Sequence, residues 1–426
     1  MKIDTVNFGN GIELGVIKTE KFKTNSFLLT FVLPRNDESV STACMLANVL
    51  CRGTESYPDI KTLSRRLSEL YDVSVNVYTQ CLDAALLFRI SVNYIDDRFV
   101  PKGEDVKVCE GALDFIREFL FRPLVVDGAF RSDYVESERV RCIDKINSDK
   151  NNKDGYALSR ALHFSCEGTP MACSSNGTVE AVNAVTAESI YGALCDIVGH
   201  TRVEAVFAGR FEGENEAHVR KLLTELSEKR SGVVGEPIPE VDLPRFGGKE
   251  IVEQIKAKQG KLVLSYRLKA LDRFENASSV FNEIFGASPV SRLFANVRER
   301  LSLCYYCSSI VNREVGLLIV RSALDKANRQ KAIDEINRQL RDLSSPENIS
   351  DEELEVAKAS ILSNLDALGD STAEYSNWYC AKKLKGGQTD LEAVAQGIKA
   401  VTKEEVASIA ASAELHVSYF LDGTDN

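Results

Sequence analysis

The sequence predicts an α+β fold: two homologous domains, each an antiparallel-rich sheet covered by helices on one face. Three observations predict it. Strand patterns come in groups ahead of helix patterns rather than alternating with them, which argues against a wound βαβ sheet. A closing unit occurs twice, at an offset of about half the chain. In the first copy Val185-Thr186-Ala187-Glu188 leads through a helix to Ala205-Val206-Phe207-Ala208-Gly209; in the second Val401-Thr402-Lys403-Glu404 leads through a helix to Ser418-Tyr419-Phe420-Leu421-Asp422-Gly423. Between the halves, residues 229–248 carry Pro237, Pro239 and Pro244 with Gly232, Gly235, Gly247 and Gly248, and no hydrophobic period. That is a linker composition, and it divides the chain into domains 1–228 and 249–426.

The elements follow in order. Ile3 to Phe8, Ile12 to Thr19 and Ser26 to Leu33 read as strands, the last closed by Pro34. Ser39 to Leu50 reads as a buried helix ending at Gly53, and Pro58 opens a second through Leu70, striped by Leu63, Leu67 and Leu70. Val73 to Tyr78 alternates strictly, with Ala85 to Tyr94 as its hairpin partner. Helices follow at about 105–121, 128–150, 153–165 and Thr186 to Val198, then a strand from Val203 to Ala208. The second half opens with a strand, Lys261 to Leu268, and a helix, 275–286. A helix over Ser291 to Arg300 then runs into a strand that continues through Val320. A helix at 325–343 precedes the capping box Ser350-Asp351-Glu352-Glu353, with Ile349 and Leu354 placed as a hydrophobic staple. The helix it starts is expected to reach about Leu384.

Composition bounds the function. The 426 residues are 44% apolar and 27% charged, ordinary for a globular protein. A net charge of −11, from 52 basic and 63 acidic residues, argues against nucleic acid or an anionic membrane as the main partner. Met1 to Phe8 lacks the apolar core of a signal peptide, and no apolar run is long enough for a membrane helix. The eleven cysteines are odd in number and scattered, as free thiols of a reducing compartment would be. The expectation is a cytoplasmic protein.

Two residues stand out in the second half. In Ser291-Arg292-Leu293-Phe294-Ala295-Asn296-Val297-Arg298-Glu299-Arg300, the positions Leu293, Phe294, Val297 and Leu301 give a helix one apolar face. From Leu303 onward Tyr305, Tyr306, Ile310 and Val311 favour a strand. A helix running into a strand holds Arg298 and Tyr305 in fixed relation. A guanidinium fork and a phenol suit a peptide carbonyl or a developing oxyanion. On spacing alone they are equally a solvated helix charge and a half-buried strand residue.

This segment resembles the second-domain signature of insulinase-type (M16) metallopeptidases, in which a Ser-Arg-Leu-Phe helix leads into an Arg-x6-Tyr pair. Cys304 and Ser302 depart mildly from the family pattern, beside the pair rather than in it. The first-half helix carries the tail Leu50-Cys51-Arg52-Gly53-Thr54, similar to the family's Leu-Phe-Lys-Gly-Thr. The resemblance implies a LuxS/M16-metallohydrolase-like fold, and zinc held by His-x-x-Glu-His plus a later glutamate. Two histidines one helical turn apart bind the metal, and the glutamate between them activates water. Here the two ligand positions are Cys44 and Asn48, the general-base position is Ala47, and Glu138-x6-Lys145 puts Lys145 at the third ligand. An ammonium cannot ligate zinc.

The resemblance therefore implies a non-catalytic chain with no metal or cofactor of its own. It implies substrate binding through Arg298 and Tyr305, a His-x-x-Glu-His subunit as partner that carries the zinc, and a peptide substrate. Self-pairing into a homodimer is open to the isolated chain. The reading of another class is an inert peptide-binding or scaffold protein, which has no need of the Arg/Tyr pair.

Other constellations are weaker. Cys304-Tyr305-Tyr306-Cys307 is a lone C-x-x-C, and in a strand its thiols point in opposite or offset directions, so a structural role is expected. His163, Cys166 and Cys173 have a spacing common by chance. His200, His218 and His416 stand in plain contexts, and the glycines have no phosphate-loop spacing.

Overall fold

A computed structural model describes residues 3–230, 238, 241–244, 247–269, 275–313 and 315–424. Most of the expected linker, 229–248, lies outside the described residues. In chain order come β1 (Ile3–Gly9), β2 (Ile12–Lys18), β3 (Thr24–Pro34), α1 (Asp37–Leu50), α2 (Ile60–Glu69), β4 (Ser74–Leu82) and β5 (Ala85–Ile95). They are followed by α3 (Val108–Phe121), β6 (Val125–Val126), β7 (Ala129–Phe130), α4 (Ser132–Asp149), α5 (Lys153–Ser165), α6 (Val179–Ala184), α7 (Ala187–His200), β8 (Arg202–Gly209) and α8 (Glu214–Glu228). Then come β9 (Lys249–Lys256), β10 (Gly260–Arg267), α9 (Glu275–Asn282), two π-helices (Glu283–Ala287 and Leu293–Arg300), β11 (Tyr306–Asn312) and β12 (Leu317–Leu324). The chain closes with α10 (Arg329–Leu343), α11 (Asp351–Leu368), α12 (Thr372–Leu384), α13 (Leu391–Ala400), α14 (Lys403–Ala411) and β13 (Glu414–Thr424). Among the described residues no helix is long and apolar enough to cross a membrane.

Local chemistry explains the well-read elements. Asn36 caps α1 by accepting from Ser39 N at 2.8 Å while Ser39 Oγ returns to Asn36 N at 3.1 Å. The capping box at Ser350 forms as read: Glu353 N donates to Ser350 Oγ at 3.1 Å and Ser350 N to Glu353 Oε2 at 3.0 Å, with Ile349 and Leu354 buried.

The two sheets share one plan. The first runs β1-β2-β8-β3-β5-β4, with β2 and β8 parallel and its other pairs antiparallel. The second runs β11-β12-β10-β13-β9, with β9 and β13 parallel and its other pairs antiparallel. Read outward from the parallel pair, β9, β13, β10, β12, β11 match β2, β8, β3, β5, β4, and β1 is extra.

The described chain divides into two compact units. One holds 1–147, 173–239 and 368–390; the other holds 148–172, 240–367 and 391–426. They differ from the contiguous halves 1–228 and 249–426 by exchanging two helices, α5 and α12. In the first unit the main helical layer packs on one sheet face, around Phe27, Leu29, Phe31, Phe88, Ile90 and Phe207. Side chains alternate along a strand, so Thr30, Arg89 and Glu204 point to the other face. There α12 packs on β3 and β8. Asn377 Oδ1 accepts from Arg89 at 3.1 Å, and Lys383 Nζ stands 2.8 Å from Glu204. Gly15 permits this close approach, since a Cβ there would lie 2.3 Å from the Tyr379 ring. In the second unit α5 packs likewise on β10 and β13, its Ala157 and Ala161 joining Val263, Val417 and Tyr419.

Three sequence expectations change. The helix expected to run to Leu384 stops at Leu368, because Gly369-Asp370 turns the chain and Ser371 caps α12 by accepting from Glu374 N. The strand expected from Leu303 through Val320 is a hairpin, β11 and β12, whose turn contains Gly316 at φ +66°. The edge strand β9 and the helix α8 went unread; β9 has a half-exposed alternation of charged and apolar residues beside a stretch that looked like linker.

One buried carboxylate ties the first unit together. Asp96 accepts from Asn25 Nδ2 at 3.1 Å, Arg98 Nε at 2.9 Å and Asn215 Nδ2 at 3.0 Å. Burial works against its charge, yet these hydrogen bonds outweigh burial and hold the carboxyl well below the usual range. A depressed folded pKa means stability that is present above the unfolded carboxylate value, near 3.9, and lost as pH falls through the folded one. Asp96→Asn is therefore expected to cost on the order of 2 kcal/mol at neutral pH, with the gap to wild type closing below about pH 4. Denaturant unfolding as a function of pH checks this; a gap independent of pH would show that the charge is not what matters.

Candidate functional site

The π-helix Leu293–Arg300 is pinned on both sides. Leu293 and Val297 are fully buried, and the Arg292 fork grips both Glu353 oxygens, at 2.7 and 3.0 Å. The chain then turns back sharply. Leu301 N donates to Asn296 O at 3.2 Å and Leu303 N to Val297 O at 3.0 Å, with Ser302 in the left-handed region at φ +49°. Tyr305 N donates to Ala323 O at 2.8 Å, which starts the pairing with β12.

This turn brings Arg298 and Tyr305 to the surface of the second unit. The Arg298 guanidinium lies 4.6 Å from the Phe294 ring centroid and 3.5 Å from Glu299, its side chain 42% exposed. Tyr305 is 54% exposed, with its hydroxyl 3.5 Å from Asp325 Oδ1, too long for a strong bond. Both donors can therefore reach outward.

The same turn carries Cys304, half-buried and ahead of the paired strand, and Cys307, buried within it. Strand alternation begins only at Tyr306, so it does not govern Cys304.

In the first unit, α1, β4 and α4 assemble the other candidate positions. Cys44 Sγ lies 3.1 Å from Thr79 Oγ1, and Asn48 Nδ2 donates to Cys142 Sγ at 3.3 Å. Ala47 is buried, and Lys145 stands at the surface one turn beyond Cys142. Glu138 is buried and holds α4 to the end of α1 through Arg52, at 2.5 Å, and also meets Arg141 at 3.2 Å. Burial pushes the Cys44 thiol up, to about 11, against the pull of Thr79 and the Lys145 ammonium. A protonated thiol, a carboxamide, a methyl group and an ammonium do not fit a zinc ion. Among the described residues no group of three or more His, Cys, Asp or Glu side chains is arranged to hold a metal.

Sequence reasoning missed Cys142 and Thr79 as neighbours of this cluster. Cys142 lies three residues before Lys145, on the same helical face, and that spacing was the available signal. Two histidines are held structurally, His163 Nδ1 to Ala172 O at 3.0 Å and the buried His416 Nε2 to Ser165 O at 2.9 Å.

Comparison with known proteins bears on the family and the fold. Residues 184–361 match the family described as the Peptidase M16 inactive domain. A curated relative from Bacillus subtilis, named probable inactive metalloprotease YmfF, is 27% identical over 417 residues, covering 97% of this chain and 96% of the relative. The crystal structure of a conserved protein from Enterococcus faecalis superposes with a TM-score of 0.88 at 28% identity, over 100% of this chain and 99% of that one. The fold is also that of a peptidase M16 inactive domain from Pseudomonas fluorescens, with a TM-score of 0.80 at 14% identity over 100% and 99% of the two chains.

Proposed function

Since this chain is an inactive M16-like protein, we propose that it is the non-catalytic, substrate-binding subunit of a heterodimeric zinc peptidase, supplying Arg298 and Tyr305 to the active site of a His-x-x-Glu-His partner. The observation that carries this reading is a contrast. The positions that would hold metal and base are Cys44, Ala47, Asn48 and Lys145, which do not fit zinc, whereas Arg298 and Tyr305 both stand exposed at one turn.

The partner's zinc supplies the activated water. This chain's guanidinium and phenol hold the peptide carbonyl in line and donate to the oxyanion as charge develops on it. Neither donor is locked into a strong bond in the free chain, so little must be broken to engage a substrate.

Purified alone, the chain is expected to leave fluorogenic peptides intact; mixed with a similar-length subunit that bears His-x-x-Glu-His, it should give zinc-dependent cleavage. Cleavage by the isolated chain would overturn the reading. A complex that forms without any gain in activity would replace it with the scaffold reading.

A further inference from the structure

The first π-helix, the loop Ser288-Pro289-Val290 that follows it and the first half of α11 enclose a cavity of about 350 Å³. It lies wholly within the second unit. Ile284 and Ala357 line it and are buried, while Val290 is 69% exposed and Val356 44%. Apolar side chains left in water at the mouth of a partly apolar cavity gain from being covered.

Charge identifies what covers them. The lining holds three carboxylates, Glu283, Glu352 and Glu353, and no Lys, Arg or His. Glu353 is already engaged: the Arg292 fork takes both of its oxygens, and the Ser350 amide donates to Oε2. Glu283 is engaged at one oxygen, where Oε1 accepts from Ser360 Oγ at 2.7 Å. The Glu352 carboxylate makes no ion pair with a described residue. Its full charge exceeds the half charge at the start of α11, where Lys403 pairs with Asp351 and Arg292 with Glu353. Two carboxylates therefore stand ready to meet a cation beside apolar walls.

An arginine or lysine side chain matches both features, with an apolar stem and a charged end. The volume is near the small end of ligand pockets, roughly 300–1,000 Å³, which suits one such side chain rather than the face of a helix. We propose that this pocket docks a short segment of a partner protein. An arginine or lysine side chain enters it and meets Glu283 and Glu352, and a neighbouring apolar residue covers Val290 and Val356. The docking site is separate from Arg298 and Tyr305, and it stands whether or not the partner is a peptidase.

The test titrates the full-length protein with acetyl-Ala-Leu-Arg-Leu-Ala-amide and with its twin carrying citrulline, which has the shape of arginine without the charge. Calorimetry gives the affinities, and hydrogen–deuterium exchange locates the contact. The arginine peptide is expected to bind at least about tenfold more tightly, with exchange slowed at 283–290 and 350–357. Glu283→Gln with Glu352→Gln keeps an acceptor for Ser360 and should bring the two peptides to equal affinity. Glu55→Gln with Glu228→Gln, the same change in net charge elsewhere, should preserve the preference. Val290→Ser with Val356→Ser should weaken both peptides alike. Equal melting temperatures of the variants and wild type show that each is folded. The proposal is overturned by equal affinity of the twins, by a preference that survives in the Glu283/Glu352 variant, or by no binding of the arginine peptide at millimolar concentration. Protection at the Arg298–Tyr305 turn instead of the pocket also overturns it, as does arginine amide alone binding as tightly as the peptide.

Discussion

Arg298→Ala and Tyr305→Phe are each expected to lower the turnover of the mixed complex by about 10²-fold or more, while the complex still assembles. The magnitude is that of removing one preorganised donor aimed at an oxyanion in a site from which water is excluded. Tyr305→Phe removes only a hydroxyl whose contact in the free chain is a long 3.5 Å approach to Asp325, so folding should be untouched. Arg298→Ala removes a cation stacked on Phe294 and partly exposed, a loss of well under 1 kcal/mol to stability. Assembly is followed by size-exclusion chromatography and turnover by peptide cleavage. A fall in kcat with little change in KM would mark donors that act in the transition state; a rise in KM alone would mark uniform binding. If both variants leave turnover intact, the pair has no part in cleavage and the scaffold reading takes over.

Lys383→Met is expected to destabilise the first unit by about 3 kcal/mol, lowering its melting temperature on the order of 10 °C. Lys383 Nζ lies 2.8 Å from Glu204 and 2.9 Å from Glu13, and Glu204 is buried on the face that α12 covers. Without the lysine, the Glu204 carboxylate keeps only Arg202, at 2.6 Å, and leaving a buried charge underpaired is the costly outcome. Burial works to lower the Lys383 pKa, but the charge and hydrogen bond of Glu204 outweigh it, and the net shift is upward. A raised folded pKa gives stability that is present below the ordinary lysine value and lost as pH rises through the folded one. The difference between wild type and variant should therefore shrink in alkali. A second variant, Lys383→Met with Glu204→Met, should recover much of the loss, since no charge is then stranded. Equal melting of Lys383→Met and wild type would mean that desolvation cancels the attraction and that α12 is held by packing alone.

Local structure was legible where a short stretch carries its own instruction. Ser350 with Glu353 marks a helix start because the side chains satisfy amides that the first turn leaves unpaired. Val73 to Tyr78 alternates because one face of its strand is more exposed than the other, and Ala85 to Tyr94 is its hairpin partner. The candidate site was readable to the extent that it follows helical spacing: Cys44, Ala47 and Asn48 lie on one stretch of α1, and Arg298 on the π-helix lies just ahead of Tyr305. Where pairing begins at that turn was not readable. Alternation predicts opposed side chains only inside a paired strand, and pairing starts one residue after Cys304.

By itself, the sequence determined that this protein repeats one plan of strands and helices twice, and it placed Cys44, Ala47 and Asn48 on one helix and Arg298 and Tyr305 about one turn. Only the tertiary structure decided which helix covers which far face. Periodicity reports that a helix has a side to bury, but not against which sheet, and α12 hides even that behind Lys382, Lys383 and Asn377. What assigns it to the first sheet is pairing at a distance in sequence: Asn377 with Arg89, Lys383 with Glu204, and Tyr379 over the missing side chain of Gly15. Each of these contacts joins residues more than 170 positions apart, where local propensity carries no information and only burial of matched surfaces selects the partner.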